Sequence, residues 1–296
     1  MEKLWKQPLL ANAHLKKTPW IFFQELKKDK FALISLAVLI AMGLIAVSGQ
    51  LLIEEVTVLD LTRIGRRPSQ EFWLGTDMMG RDLFQRLILA LGNSLAAALL
   101  ATTISTAIGL LVGAIGGYYG GTFDRAIVWL IDLIGIAPSF ILTLALFSLL
   151  FAPTTWQIAW IISLSSWPTV ARLIRSKTLQ EKEMDYIHAS VTVGTSKWKI
   201  LWGQILPQLL PLVVAGFFLN LGASIGIETG VSYLGFGFPH AVPSIGGMIG
   251  SGGNIRQLFA RPWVWLPAAA SVFVFMLAAH HIGQFLIRLA TPDLRK

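Results

Sequence analysis

Long apolar runs separated by short polar segments are the main feature of this sequence. A membrane hydrocarbon core about 30 Å thick is crossed by about 20 apolar residues in a helix. Three runs without any charged residue reach that length, and they cover 31–53, 94–116 and 205–227. A fourth run, 263–287, contains only the adjacent pair His280 and His281 as titratable residues. The pattern predicts a transmembrane helix in each of the four.

Two further segments are apolar but interrupted. The segment 126–152 contains Asp132 and Pro138, and the segment 156–174 contains Pro168 and Arg172. Counting both as membrane spans predicts an all-α membrane protein with six transmembrane helices.

The segment 54–93 between the first two spans is too polar to cross a membrane. Its residues 82–90 are amphipathic, which favours a short helix leading into the second span. Within that span, Gly109, Gly113 and Gly117 recur every four residues. Such spacing places the glycines on one helix face, where they allow close packing against a neighbouring helix.

Lysine and arginine residues set the predicted orientation. With residues 1–30 inside the cell, 17 of the 24 basic residues lie on the cytoplasmic side of the spans. Because positive charge concentrates in cytoplasmic loops, both termini and the loop 178–206 are predicted to be cytoplasmic. The segment 54–93 is then external, and 94–296 forms a core of five helices.

Composition narrows the class of protein further. Hydrophobic residues make up 54% of the chain and charged residues only 14%, which excludes an ordinary soluble domain. The net charge of +8 is distributed around the spans, so it indicates membrane orientation and not nucleic-acid binding. The absence of cysteine excludes disulfides. Residues 1–30 contain no apolar run typical of a signal peptide, so the first span is expected to remain in the protein.

The cytoplasmic loop is the most informative segment for function. Its residues have helical spacing on both sides of Gly194, with the small residues Ala189 and Ser190 before the glycine. A compact helix–glycine–helix unit is suited to docking a partner protein, with Tyr186 and Trp198 as anchors. An alternative is an interfacial helix that lies on the lipid headgroups.

This loop resembles the EAA loop of ABC-importer permeases, in which a coupling helix sits in a cleft of the ATPase subunit. The glycine and the closing Leu-Pro pair are kept at Gly194, Leu206 and Pro207. His188 stands where the family usually has Glu, and Ser190 replaces the second Ala. We expect Pro207 to begin the fifth span, where its missing N–H costs nothing.

Further motifs resemble permeases of oligopeptide, dipeptide and nickel importers, in the same order along the chain. They lie at 74–82, 116–125, 228–237, 243–249 and 290–295. The external signature is similar to LGTDxxGRD and includes Gly75, Thr76, Asp77, Gly80, Arg81 and Asp82. Order and length match the C-type subunit of the permease pair.

The resemblance implies a type I ABC-importer permease in a bacterial cell membrane, forming half of a translocation path for peptides. Its implied partners are a second, non-identical permease, one or two ATPase subunits and an extracellular or periplasmic solute-binding protein. No phosphate-binding loop is present in the sequence, so the chain is not expected to be an enzyme or to carry a cofactor. ATP and magnesium are expected in the ATPase. Nickel or another small solute is an alternative cargo, and an ion-coupled secondary transporter is an alternative class.

Glu228 and the external charges have two readings each. Glu228 either binds the N-terminus of a passing peptide or, as we favour, accepts hydrogen bonds from neighbouring external backbone. Asp77, Arg81 and Asp82 are predicted to form a local ion-pair network in preference to contacting substrate. His280 and His281 point about 100° apart on a helix, so packing or interhelical hydrogen bonds are expected of them and not a shared metal ion.

Overall fold

The computed structural model describes residues 25–53, 61–252 and 259–290. The regular secondary structure of the described parts is helical, apart from one isolated antiparallel bridge between Thr76 and Asp82. Ten α-helices are numbered here in chain order: α1 Lys30–Leu52, α2 Leu83–Tyr119, α3 Gly121–Ile136, α4 Ser139–Phe147, α5 Thr155–Lys182, α6 Asp185–Thr192, α7 Lys197–Ile200, α8 Leu206–Tyr233, α9 Ile245–Gly250 and α10 Leu266–Ala290. Short 3₁₀ turns cover Leu61–Arg63 and Pro262–Val264.

Four helical stretches in the described residues are long and apolar enough to cross a membrane. They are Lys30–Leu52, Leu83–Tyr119, Lys197–Tyr233 and Leu266–Ala290. The pair α3 and α4 adds a fifth span if it is counted as one bent segment. The remaining predicted span coincides with α5, whose serine, threonine and glutamine residues make it less apolar. The multi-pass helical architecture is therefore present, and the count of six remains a prediction.

The predicted amphipathic helix at 82–90 is continuous with the second span. Together they form α2, a helix of 37 residues whose N-terminus is capped by Asp82. The Asp82 carboxylate accepts a hydrogen bond of 2.8 Å from the Phe84 N–H, one of the donors that a helix start leaves without a partner. The external segment is therefore tied directly to the membrane bundle.

Helix α2 packs most extensively against α5, through the glycines spaced four apart. A Cβ atom at Gly113 would lie 2.6 Å from the Ala171 carbonyl oxygen, and one at Gly109 would lie 2.6 Å from the Val170 Cβ. At Gly117 it would lie 2.9 Å from the Thr178 Cβ. Only residues without a side chain permit this approach, so the predicted close packing is confirmed.

The third predicted span is broken near its middle. Helices α3 and α4 meet at an angle of 79°. Pro138 follows Ala137, whose backbone is extended (φ −82°, ψ 137°), as steric contact with a following proline favours. Asp132 lies well inside α3.

The fifth span begins earlier than predicted. Helical structure runs without interruption from Lys197 to Tyr233, so Pro207 lies ten residues inside it and does not open it. A π-helical turn over Leu201–Ile205 precedes the proline. Proline cannot donate to the carbonyl four residues earlier and its ring crowds that group. The wider turn accommodates this, which is why the helix continues through Pro207.

Parts of two predicted segments lie outside the described residues. These are residues 1–24 of the N-terminal segment and residues 291–295 of the C-terminal motif.

Candidate functional sites at the two membrane faces

Gly194 ends α6 and turns the chain into α7. Its φ of +84° lies in the left-handed region that favours glycine. The Gly194 N–H donates to the Val191 carbonyl at 2.9 Å, and the Thr195 N–H donates to the Ser190 carbonyl at 3.0 Å. This pair of bonds is a Schellman cap, which satisfies the last carbonyls of a helix. The turn predicted from the sequence is thus a defined structure.

Helix α6 is attached to the bundle along one side. Ile187 is buried in a cluster with Tyr118, Ile174 and Ile205, from α2, α5 and the π turn. The Ser190 hydroxyl contacts the Gln204 side chain at 3.0 Å, which fixes α6 against the π turn. The opposite side is left open to solvent.

Tyr186 does not point freely outward as a docking anchor would. Its hydroxyl donates to the Glu181 carboxylate at 3.0 Å. Partial burial and the neighbouring Glu181 carboxylate raise the pKa of the Tyr186 phenol above its usual value. The phenol therefore stays neutral, and it joins α6 to the end of α5.

The exposed surface of α6 and its C-terminal turn carries small and apolar side chains. Ala189, Val191 and Val193 are all exposed, although Val191 lies about 160° around the helix from Ala189. Nothing in the structure would obstruct a Cβ atom added at Gly194. His188 lies on the same helix with its Nε2 3.8 Å from the Glu183 carboxylate, and both side chains are mostly exposed. The two valines belong to this surface, and sequence reasoning did not single them out.

Trp198, Leu206 and Pro207 lie apart from that surface. The Trp198 ring packs against the Trp202 ring with a centroid distance of 5.2 Å, on the first turns of the long helix Lys197–Tyr233. Leu206 is partly buried against the cluster around Ile187. The structure thus brings His188, Ala189 and Gly194 together but gives the Leu-Pro pair a place within the helix.

The external signature is a self-contained turn centred on Asp77. One carboxylate oxygen accepts from the N–H groups of Met79 (2.8 Å) and Arg81 (3.0 Å), and the other accepts from Arg81 Nε at 2.8 Å. Arg86 Nε lies 3.7 Å from the same oxygen. The Asp77 carboxylate is almost fully buried, so it faces the interior of the turn and not solvent. Asp82 is absent from this network, because it caps α2 instead.

The remaining signature residues hold the preceding loop. The Thr76 hydroxyl donates to the Arg63 carbonyl and accepts from the Arg66 N–H at 2.9 Å. Gly75 and Gly80 both have a φ of +76°, which fits turns that other residues enter with strain. Arg86, whose side chain is mostly buried, was not selected from the sequence. Its position in the first turn of α2, facing Asp77, becomes apparent only in three dimensions.

Glu228 is buried inside the bundle, with 1% of its surface exposed. One carboxylate oxygen accepts from the Ser232 hydroxyl at 2.7 Å, one turn along the same helix, and the other has no hydrogen-bond partner among the residues that the structure describes. The expected contact with external backbone is therefore wrong, since a side-chain hydroxyl takes that place. Gly246 of α9 lies against this turn, with the Ser232 Cβ within 2.7 Å of a hypothetical Cβ atom.

The segment before and within α9 is also fastened to α2. Asn93 Nδ2 donates to the Pro243 carbonyl at 2.8 Å, and the Ile245 N–H donates to the Ser94 hydroxyl at 3.1 Å. The motif at 243–249 is thus wedged between α2 and α8.

At the start of α1, one of the two histidines joins an ion-pair group. Asp29 caps α1 and pairs with Arg288 of α10 at 3.2 Å, and His281 Nε2 lies 3.8 Å from the Asp29 carboxylate. The Ala32 N–H and the charge of Arg288 lower the pKa of Asp29. In the described residues no group of three or more His, Asp or Glu side chains is placed to hold a metal ion.

Comparison with known proteins gives a consistent result. The family described as "binding-protein-dependent transport system inner membrane component" matches residues 105–296. The oligopeptide transport system permease protein OppC of Lactococcus lactis subsp. lactis is 36% identical over 270 residues, covering 90% of this chain and 92% of the relative. The glutathione transport system permease protein GsiD of Salmonella typhimurium is 31% identical over 282 residues, covering 94% and 92%. OppC of Mycobacterium bovis is 31% identical over 243 residues, covering 80% and 81%.

The family match covers α6 and α8, and the matches to the relatives also extend over the external signature. They agree with the multi-pass helical fold and with the order of motifs along the sequence. The chain belongs to the family of inner-membrane permease components of binding-protein-dependent ABC importers.

Proposed function

We propose that this chain is one permease subunit of an ATP-driven peptide importer. It forms half of the translocation path beside a second, non-identical permease. One or two ATPase subunits bind ATP and magnesium on the cytoplasmic side, and an extracellular or periplasmic binding protein delivers the peptide. The observation that carries the peptide cargo is the 36% identity to an oligopeptide permease over 90% of the chain.

The proposed coupling element is α6 with its glycine turn. Its inner side is fixed to the bundle through Ile187 and Ser190, whereas Ala189, Val191 and Val193 face outward. Small side chains allow a close approach of a partner, and a rigid attachment transmits the partner's movement to the bundle. An interfacial helix on lipid would instead need large apolar residues on its outer face.

The proposed orientation places α6 and both termini in the cytoplasm and the external signature outside. Val193→Cys and Met79→Cys test it, because the natural chain contains no cysteine and both side chains are exposed. A membrane-impermeant thiol reagent applied to intact cells is expected to label Met79→Cys only. Labelling of Val193→Cys alone would reverse the orientation.

Docking is tested by cross-linking in the assembled transporter. Val193→Cys, paired with cysteines introduced along a surface cleft of the ATPase, is expected to form a cross-link to that subunit. Leu44→Cys serves as the control, because this exposed position lies on the membrane helix α1. Equal cross-linking at both positions, or none at Val193→Cys, would contradict docking through α6.

Cargo is tested by uptake into proteoliposomes that contain the complete importer. Short peptides are expected to be taken up when both ATP and the binding protein are present. Uptake of nickel chelates but no peptide would show that the assigned cargo is wrong and that the proposed ATP-driven mechanism is right. Uptake driven by an ion gradient without ATP would overturn the proposal.

A further inference from the structure

Two ion pairs connect α3 to α5, and they differ in their surroundings. Arg175 binds Asp124 near the start of α3 through two short bonds of 2.6 and 2.7 Å, with both side chains largely shielded. Arg172 binds Asp132 at 3.1 Å, and 63% of each of these side chains is exposed. The first pair is a structural link between two helices. The second leaves most of the hydrogen-bonding capacity of both charges unused.

The exposed pair includes a residue of the apolar segment that α3 and α4 contribute if they form one bent membrane span. Asp132 is eight residues beyond Asp124, which is about 12 Å further along α3. Its neighbours in the sequence, 126–131 and 133–136, are uncharged and mostly apolar. Charged side chains at such depth face the interior of a bundle or a water-filled cavity and not lipid. The pair therefore marks a face of the subunit that contacts water during transport.

A polar stripe on α5 continues from this pair. Thr169, Arg172, Ser176 and Gln180 are exposed and follow one another at intervals of three or four residues, so they share a face of the helix. Leu164, also exposed, lies about 140° around the helix from Thr169. Gly135 of α3 leaves space beside the guanidinium, since a Cβ atom there would lie 3.7 Å from Arg172 Nη2. One side of α5 thus carries four exposed polar side chains, with the exposed Leu173 at the edge of the stripe.

We propose that this stripe lines the translocation path and that Asp132 and Arg172 bind the two charged ends of a zwitterionic peptide in passage. The inference rests on the proposed peptide cargo. Asp132 accepts hydrogen bonds from the peptide ammonium group, and Arg172 donates to the terminal carboxylate, with the geometry suited to carboxylate recognition. In the empty path the two side chains neutralise each other. An exposed ion pair is weak, so a peptide can separate the partners at little cost.

The position of the stripe is tested by thiol accessibility in the complete importer. Thr169→Cys and Ser176→Cys are expected to react with a small hydrophilic thiol reagent, and a transported peptide is expected to slow the reaction. Leu164→Cys is the matched control on the other side of α5 and is expected to stay unreactive. Reaction at Leu164→Cys with none at the other two would overturn the assignment.

Recognition of the peptide ends is tested with Asp132→Asn and Arg172→Gln. Each variant is compared on a free peptide and on the same peptide with its N-terminus acetylated or its C-terminus amidated, all chosen for equal affinity to the binding protein. Asp132→Asn is expected to lower kcat/KM for the free peptide about tenfold, the factor for one lost charge-assisted contact, and to leave the acetylated peptide nearly unchanged. Arg172→Gln is expected to lower kcat/KM for the free peptide by a similar factor and to leave the amidated peptide nearly unchanged.

Equal losses of kcat/KM for free and modified peptides would overturn the proposed recognition of the peptide ends. They would indicate that the pair is a purely structural link between α3 and α5. Absence of peptide uptake by the wild-type importer would overturn the proposed function itself. That result is separate from the labelling pattern, which reports on the path without any peptide being transported.

Discussion

At the end of the bundle that carries the external signature, polar groups are paired inside the structure, whereas α6 exposes most of its side chains. Both carboxylate oxygens of Asp77 are paired, through hydrogen bonds from Met79 and Arg81 and an ion pair with Arg86. In α6, Ile187 alone is fully buried among eight residues. The two regions therefore differ in how many of their side chains find partners within the subunit.

This difference shows how one chain can be stiff at one face and adaptable in its contacts at the other. Buried and satisfied polar groups fix a single arrangement, because any other leaves a charge or an N–H without a partner. The exposed small residues of α6 make few contacts within the subunit, so they remain available to a partner. The end with the external signature has a defined shape, and the loop around α6 has the exposed surface that we propose for docking.

The same substitution at two glycines tests the contrast most severely. An Ala side chain at Gly246 would collide with backbone atoms of Thr229 and Tyr233, which cannot move as a flexible side chain would. We expect Gly246→Ala to lose well over the roughly 1–3 kcal/mol typical of overpacking, with little folded protein recovered. At Gly194 the space is free, so Ala costs only the left-handed backbone, about 1–2 kcal/mol.

Thermal unfolding of the purified importer, followed by size-exclusion chromatography, measures both variants. Gly203→Ala is the control, since this helical glycine has free space and no left-handed backbone. Equal stability of Gly246→Ala and Gly194→Ala would show that the external end is not the rigid one.

Added side chains on the exposed surface of α6 are expected to abolish transport, while costing at most the left-handed backbone strain at Gly194, about 1–2 kcal/mol. Ala189→Trp and Gly194→Asp change a surface that packs against nothing within the subunit, so insertion and yield should remain near those of the natural chain. Uptake is expected to fall below detection, because the ATPase can no longer approach closely. Uptake assays beside quantification of both subunits measure this, with Leu44→Trp on α1 as control. Native uptake with the ATPase retained would indicate an interfacial helix on lipid.

Removing one acidic charge at each end sharpens the comparison. Asp77→Asn leaves Arg81 and Arg86 without their shared partner in a mostly buried site, which typically costs about 3–5 kcal/mol. Glu183→Gln breaks the loose contact with exposed His188, and it is expected to change stability by less than about 0.5 kcal/mol. Melting temperatures of the two variants measure the difference, and similar values would contradict it.

A small and local effect is expected at the attachment of α6. Ser190→Ala removes the contact with Gln204, which is worth about 1 kcal/mol. The loop should stay folded because Ile187 remains buried, yet its amide hydrogens should exchange faster. Hydrogen exchange in residues 185–195 measures this. The double variant Ser190→Ala with Gln204→Ala should add little further, and a large additional effect would show that Gln204 acts through another group.

Much of the bundle could be predicted from local sequence. Charge-free apolar runs located α1 within one residue at each end, because a membrane helix needs no partner beyond lipid to be recognised. Gly194 was identified as the bend because few other residues adopt its backbone conformation. Both predictions depend on properties of neighbouring residues alone.

Contacts between distant segments could not be predicted in this way. Arg172 and Asp132 are 40 residues apart, and Asn93 lies 150 residues from Pro243. Glu228 was assigned to external backbone because its burial depends on α9, which the hydropathy pattern does not place. Pro207 was taken as a helix start because the preceding π turn, which tolerates the proline, has no distinct sequence pattern.

That π turn also determines the direction in which α6 points. Each residue advances an α-helix by about 100°, and a π-helical turn holds one residue more than the α-helical turn it replaces. Deleting Gly203 would therefore convert Leu201–Ile205 to ordinary helix and rotate everything before it by about 100° around the axis of α8. The extra residue in the π turn therefore sets the direction in which the whole proposed docking loop points.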